Sequence, residues 1–141
     1  MSTKTPSATG LPLTESVGVP GNEVAGLTEE HIRAVVDEFY RRVLLDEQLG
    51  PVFAHYVHDW DVHLARLTDF WSAALLHTGR FSGRPVERHR VIDGLASDHF
   101  ERWLQVFETT VIEMCTKEHA LAFMVRAQRM KTGMMRALHL D

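Results

Sequence analysis

The sequence predicts an all-α fold in a single domain, and three observations carry that expectation. From Leu27 onward the apolar residues recur almost throughout at helical spacing. No stretch of useful length alternates with the two-residue period of a strand, and 141 residues with 45% hydrophobic content suit one core. The net charge of −4, with no block of Lys and Arg, argues against nucleic acid or an anionic membrane surface as main partner. No apolar run approaches the roughly 20 residues of a membrane helix, and the N-terminus lacks the charged-then-apolar layout of a secretory signal. Cys115 is the only cysteine, which excludes an internal disulfide and an all-cysteine metal site. A cytoplasmic protein is the expectation, with Cys115 a core thiol.

The opening stretch, MSTKTPSATGLPLTESVGVPGNEVAG, is rich in Ser, Thr, Pro and Gly and has no helical period. Residues 1–26 are therefore expected to be a flexible tail and residues 27–141 the folded domain. Thr28 is placed to cap a first helix, with Glu29 and Glu30 in the turn where the helix dipole favours them. Ile32, Val35, Val36, Phe39, Tyr40 and Val43 then share one stripe. Gly50-Pro51 is expected to stop that helix. In DVHLARLTDFWSAALLHTG, His63, Leu67, Phe70, Trp71 and Ala74 fall on one face, which puts a histidine on an apolar stripe. Pro85 suits the first position of a short helix, because its missing N–H has no partner there, and His89 follows one turn later. A helix that short is not stable alone, so something else must hold it. A further long helix, capped by Ser97 or Asp98, carries Phe100, Trp103, Leu104, Phe107, Val111 and Met114. The last carries Ala120, Phe123, Met124, Ala127, Met130 and Met134. The architecture is thus about four long helices and a few short ones.

The phosphate loop, the dinucleotide fingerprint, the HExxH zinc pair and the nucleophile elbow are all missing, which leaves hydrolase and kinase readings without support. Tyr40, His63 and Trp103 each bring a polar tip to a face that should be buried, where a lost partner costs about 1–3 kcal/mol. Singly, each is most simply a core residue whose tip bonds to backbone. Jointly, three donor side chains from three helices, with His89 on a helix that needs outside support, are what a pocket for a metal-bound polar ligand requires.

Taken in order, EFYRRVLLDEQLGPVF, HLARLTDFW, FSGRPVERHRVI and HFERWLQVF resemble the group III truncated haemoglobins over about Leu27 to Leu138. The aromatic–tyrosine pair, the Gly-Pro-x-Phe corner, the Phe-Trp pair, the Gly-x-Pro-x-x-x-His element and the late tryptophan all match. The resemblance implies a truncated globin, a two-over-two helical sandwich enclosing haem b (iron protoporphyrin IX). It implies His89 as the proximal iron ligand, Tyr40, His63 and Trp103 as the distal residues facing bound gas, and Phe39, Phe53, Leu67, Phe70 and Trp71 as the apolar wall. Arg66 and Arg88, with Arg84 and Arg90 nearby, are placed to pair with the haem propionates. One protein ligand leaves the other face of iron open to dioxygen, carbon monoxide or nitric oxide, and donors on Tyr40 and Trp103 imply slow release of oxygen. Two other readings stand beside gas binding. One is a haem redox enzyme, oxidising nitric oxide or acting as a peroxidase, with a reductase as partner. The other is a cofactor-free helical interaction module in which every buried polar tip finds a protein partner.

Overall fold

A computed structural model describes residues 24–140, so the expected tail lies almost wholly outside the described residues. Six helices follow one another: α1 (Glu29–Leu45), α2 (Gly50–Tyr56), α3 (Trp60–Leu76), α4 (Pro85–Arg90), α5 (Ser97–Met114) and α6 (Lys117–Ala137). Val24, on the tail side of the expected boundary, is already buried beside Leu27 in the main core, and the Leu27 N–H closes a turn onto the Val24 carbonyl at 2.9 Å.

Helix α1 begins as its sequence predicts. Thr28 accepts the His31 N–H, and the buried residues of α1 are the expected stripe from Ile32 to Val43. Its end differs from expectation. Asp46 terminates it, accepting the N–H groups of Gln48 (3.1 Å) and Leu49 (3.0 Å) on its carboxylate. Gly50-Pro51 instead opens α2, where proline's missing N–H would have no partner. Glycine is needed at position 50 because a Cβ there would sit 2.6 Å from the Leu44 carbonyl oxygen. The start of α5 is a second correction: the N-cap is Ala96, neither Ser97 nor Asp98. His99 reaches back with Nδ1 to accept the Ala96 N–H at 3.0 Å, taking the part that a glutamate plays in a capping box.

The long helices form two pairs, α1 with α3 and α5 with α6, and the pairs meet where α1 packs on α5 and α3 on α6. This is the two-over-two arrangement. Phe107 is its hub, fully buried and stacked between Trp103 (centroids 5.3 Å) and Trp71 (5.1 Å), with Phe39 edge-on at 5.0 Å and Phe123 at 5.9 Å. Burying aromatic side chains of this size dominates the energetics of a core, and edge or stacked pairs add about 0.5–1.5 kcal/mol each. A smaller cluster of Phe100, Met134 and Met135 lies apart from this core, with Val86 and Leu95 packed against it. Two ion pairs tie α1 to α5: Arg42 to Glu113 at 2.7 Å, and Arg102 to Asp46, just past the end of α1, at 2.6 Å. Among the described residues no helix is long and apolar enough to cross a membrane.

Candidate functional site

An open-mouthed cavity of about 530 Å³ is lined by α1, α2, α3, α4, α5 and the C-terminal half of α6, within the size range of small-molecule and cofactor sites. Tyr40, Phe53, His63, Arg66, Leu67, Phe70, Trp71, Arg88, His89 and Trp103 all line it. Phe39 does not. It is 1% exposed and lies behind the wall, with its ring 4.7 Å from Tyr40 and 5.5 Å from Trp103, so it supports the polar residues rather than touching a ligand. Adjacent residues on a helix point about 100° apart, which is why Tyr40 reaches the cavity and Phe39 the core.

His89 is held by its own helix. Its Nδ1 lies 2.6 Å from the Pro85 carbonyl oxygen, which can only accept. In the neutral ring Nδ1 therefore carries the proton and Nε2 keeps the lone pair, the form in which imidazole binds a metal.

Three other polar side chains converge from different helices. The His63 ring stands edge-on to Tyr40 at 5.7 Å and to Trp60 at 5.4 Å. Its Nε2 is the one buried side-chain nitrogen or oxygen without a hydrogen-bond partner among the described residues. Burial holds its pKa below the ordinary 6.5, and the nearby Arg66 and Arg88 push it the same way, so the ring is neutral near pH 7. Burial also pushes the Tyr40 phenol up to about 12, against a smaller opposing effect of the hydrogen-bonding Trp103 indole. Tyr40 thus stays a protonated donor at any ordinary pH.

The mouth of the cavity is basic although the chain as a whole is acidic. Arg66, Arg84 and Arg88 line it, and among the described residues none has a carboxylate partner. Lys131 also lines the cavity but is paired with Glu101 at 3.0 Å. The lining residues that the sequence reading did not assign to the site include Tyr56, Phe81, His99, Phe100, Met130 and Met134. Phe100, Met130 and Met134 were legible as apolar helix positions, but which buried face meets a cavity is set by how helices cross. Cys115 is no part of the cavity. Burial raises its pKa, and its Sγ lies 3.7 Å from His31 Nε2 at the turn between α5 and α6.

These features match known proteins. The bacterial-like globin family matches residues 23–136, and the chain belongs to that family. It is similar to the group 3 truncated haemoglobin ctb of Campylobacter jejuni, 29% identical over 106 residues that span 72% of this chain and 84% of the relative. The crystal structure of a group III truncated haemoglobin from Campylobacter jejuni superposes with a TM-score of 0.74 at 28% identity, covering 79% of this chain and 91% of that one. The fold is a truncated globin, and membership of the family makes the protein a haem-based gas-binding globin.

The residues present fit that cofactor. Among the described residues no three His, Cys, Asp or Glu gather closely enough to hold a bare metal ion. Unpaired guanidinium groups at the mouth suit a dianionic edge. His63 lines the cavity, and its buried Nε2 is left without a partner.

Proposed function

We propose that the chain holds haem b with His89 as the single protein ligand to iron, and that it binds dioxygen and other diatomic gases with slow release. The observation that carries this reading is the contrast between two histidines of one cavity. His89 offers a lone pair fixed by its bond to Pro85, whereas His63 offers a buried nitrogen with no protein partner. When bound, haem supplies an iron with one open position. Phe53, Leu67, Phe70 and Trp71 wall it and keep water out, and Arg66 and Arg88 neutralise its propionates. Tyr40 donates to a polar ligand, and so does Trp103 once its single N–H turns from the Tyr40 oxygen. Each such bond is worth about 1 kcal/mol to a neutral acceptor and roughly 1.5–3 to a charged one, so two donors slow escape by roughly ten- to a thousandfold.

The unpartnered His63 Nε2 counts against a cofactor-free interaction module, in which that atom would be satisfied by protein. It also favours a second reading at the same site. A neutral imidazole in a gas pocket can take up or deliver a proton, which suits nitric oxide oxidation or a peroxidase-like reaction with electrons from a reductase in the cytoplasm. Sustained turnover with nitric oxide or peroxide and a donor separates catalysis from binding. The cofactor itself is tested by an optical spectrum of the purified protein, oxidised, reduced and exposed to carbon monoxide. The expected result is a haem that takes up the gas at a vacant sixth position. A colourless protein that does not take up added haemin would overturn the reading.

A further inference from the structure

The segment from Gly83 to Ala96 carries His89, yet α4 has no fully buried residue: the partly buried Val86 and Leu95 pack against the small Phe100–Met134–Met135 cluster, and the His89 ring lies 6.1 Å from that of Phe100. Its internal hydrogen bonds are local, from Arg88 N–H to the Arg84 carbonyl, from Ile92 N–H to the His89 carbonyl, and from His89 to Pro85. Among the described residues its one hydrogen bond to a distant element runs from the Asp93 backbone N–H to the phenol oxygen of Tyr56, at 3.0 Å across 37 positions. Tyr56 is the last residue of α2, a helix whose start is wedged against the Leu44 carbonyl and which packs on α1. The bond therefore ties a point just beyond His89 to the rigid part of the fold.

We propose that Tyr56 is a positioning residue for the proximal histidine: through Asp93 it sets how α4 presents the His89 Nε2. This deepens the haem reading and rests on it. The physical reason is that the strength of a metal–imidazole bond depends on the orientation that outer hydrogen bonds impose on the ring. Among the described residues this segment has no fully buried side chain and no other hydrogen bond to a distant element to fix that orientation.

The variant Tyr56→Phe keeps the ring and deletes the acceptor. In the ferrous, haem-loaded protein it should shift the iron–histidine stretching frequency and weaken haem retention by roughly threefold to tenfold, as expected for one neutral hydrogen bond. Tyr56 also lines the cavity, so a second background separates the routes. In His89→Gly supplied with imidazole, α4 is no longer linked to iron, and Tyr56→Phe should leave the iron–imidazole stretch unchanged. An unshifted stretch in the otherwise native protein overturns the proposal. So does a shift that persists in the His89→Gly background, because Tyr56 would then act on the haem directly. A native chain that takes up no haemin overturns the haem reading first and this proposal with it, and that outcome needs no variant to be seen.

Discussion

The aromatic core and the α4 segment are built on opposite principles. Phe39, Phe107 and Phe123 are at most 1% exposed and interlock rings from α1, α5 and α6. The α4 segment has no fully buried residue and leaves Val91 71% exposed. Left-handed backbone at Gly79 and Gly94 brackets it. The difference teaches where stability and chemistry reside. The core gathers the fully buried rings of the long helices, while α4, which bears the proposed iron ligand, contributes only partly buried side chains. Binding energy that such a segment gains from a cofactor is then also its folding energy.

The largest expected effect belongs to the core. Phe107→Ala empties the centre of a ring stack and should destabilise the protein by about 3–5 kcal/mol, read by chemical denaturation. A loss below about 1 kcal/mol would mean that the stack is not the stabilising centre. Next come the cavity donors. Tyr40→Phe and Trp103→Phe should each speed oxygen dissociation by roughly tenfold, measured by stopped flow, with Trp103→Phe also lowering stability because it shortens the ring stacked on Phe107. Rates within about twofold of the original would remove them from ligand binding.

His63→Leu should stabilise the haem-free protein by about 1–2 kcal/mol, because it removes a buried nitrogen that has no partner. The sign with pH follows from the lowered pKa. The unfolded chain takes up a proton on His63 near pH 6.5 and the folded one does so only lower, so stability falls as pH drops below 6.5. His63→Leu should flatten that fall, and an unchanged profile would contradict the burial of a neutral ring.

The smallest effect is at the α1 end, far from either contrast. Hydrogen bonds from Arg41 and then Arg42 hold the Glu38 carboxyl down at about 2 from an ordinary 4.5. For Asp46, burial pushes the carboxyl up, but bonds from the Leu49 N–H and Arg102 more than offset it, leaving the pKa below its ordinary value of 3.8. A lowered carboxylate contributes stability above its unfolded pKa and loses it as pH falls through the folded one. The Glu38→Gln variant should therefore lose a small part of the acid dependence between about pH 4.5 and 2. The cavity should not respond to that substitution.

Much of the fold was legible because it is local. The stripe of α1 and its Thr28 cap follow from periodicity and side-chain chemistry within one helix. Its end was misplaced because Gly50-Pro51 reads as a breaker, while Asp46, a single carboxylate folding back on two amides, carries no comparable signal. His99 in the capping role escaped for a similar reason, since imidazole is an uncommon stand-in for a carboxylate there. The gathering of Tyr40, His63, Trp103 and His89 around one space was suggested by taking the four together and then by family resemblance; helical spacing read each singly as a core residue. Phe39 shows the limit of that route: an apolar match places a side chain near a pocket without saying on which side of the wall it lies. The bond between Tyr56 and Asp93 had no sequence signal, because it joins a phenol to a backbone amide brought close only by tertiary packing.

The most direct measurement is a haemin titration of the purified chain and of His89→Gly, with ferrous spectra recorded before and after imidazole is added. The native chain is expected to take up one haem and show a histidine-ligated iron. The variant should lose that signature and regain a closely similar one when imidazole fills the vacancy. A variant spectrum identical to the native one without imidazole would contradict the assignment of His89 to iron.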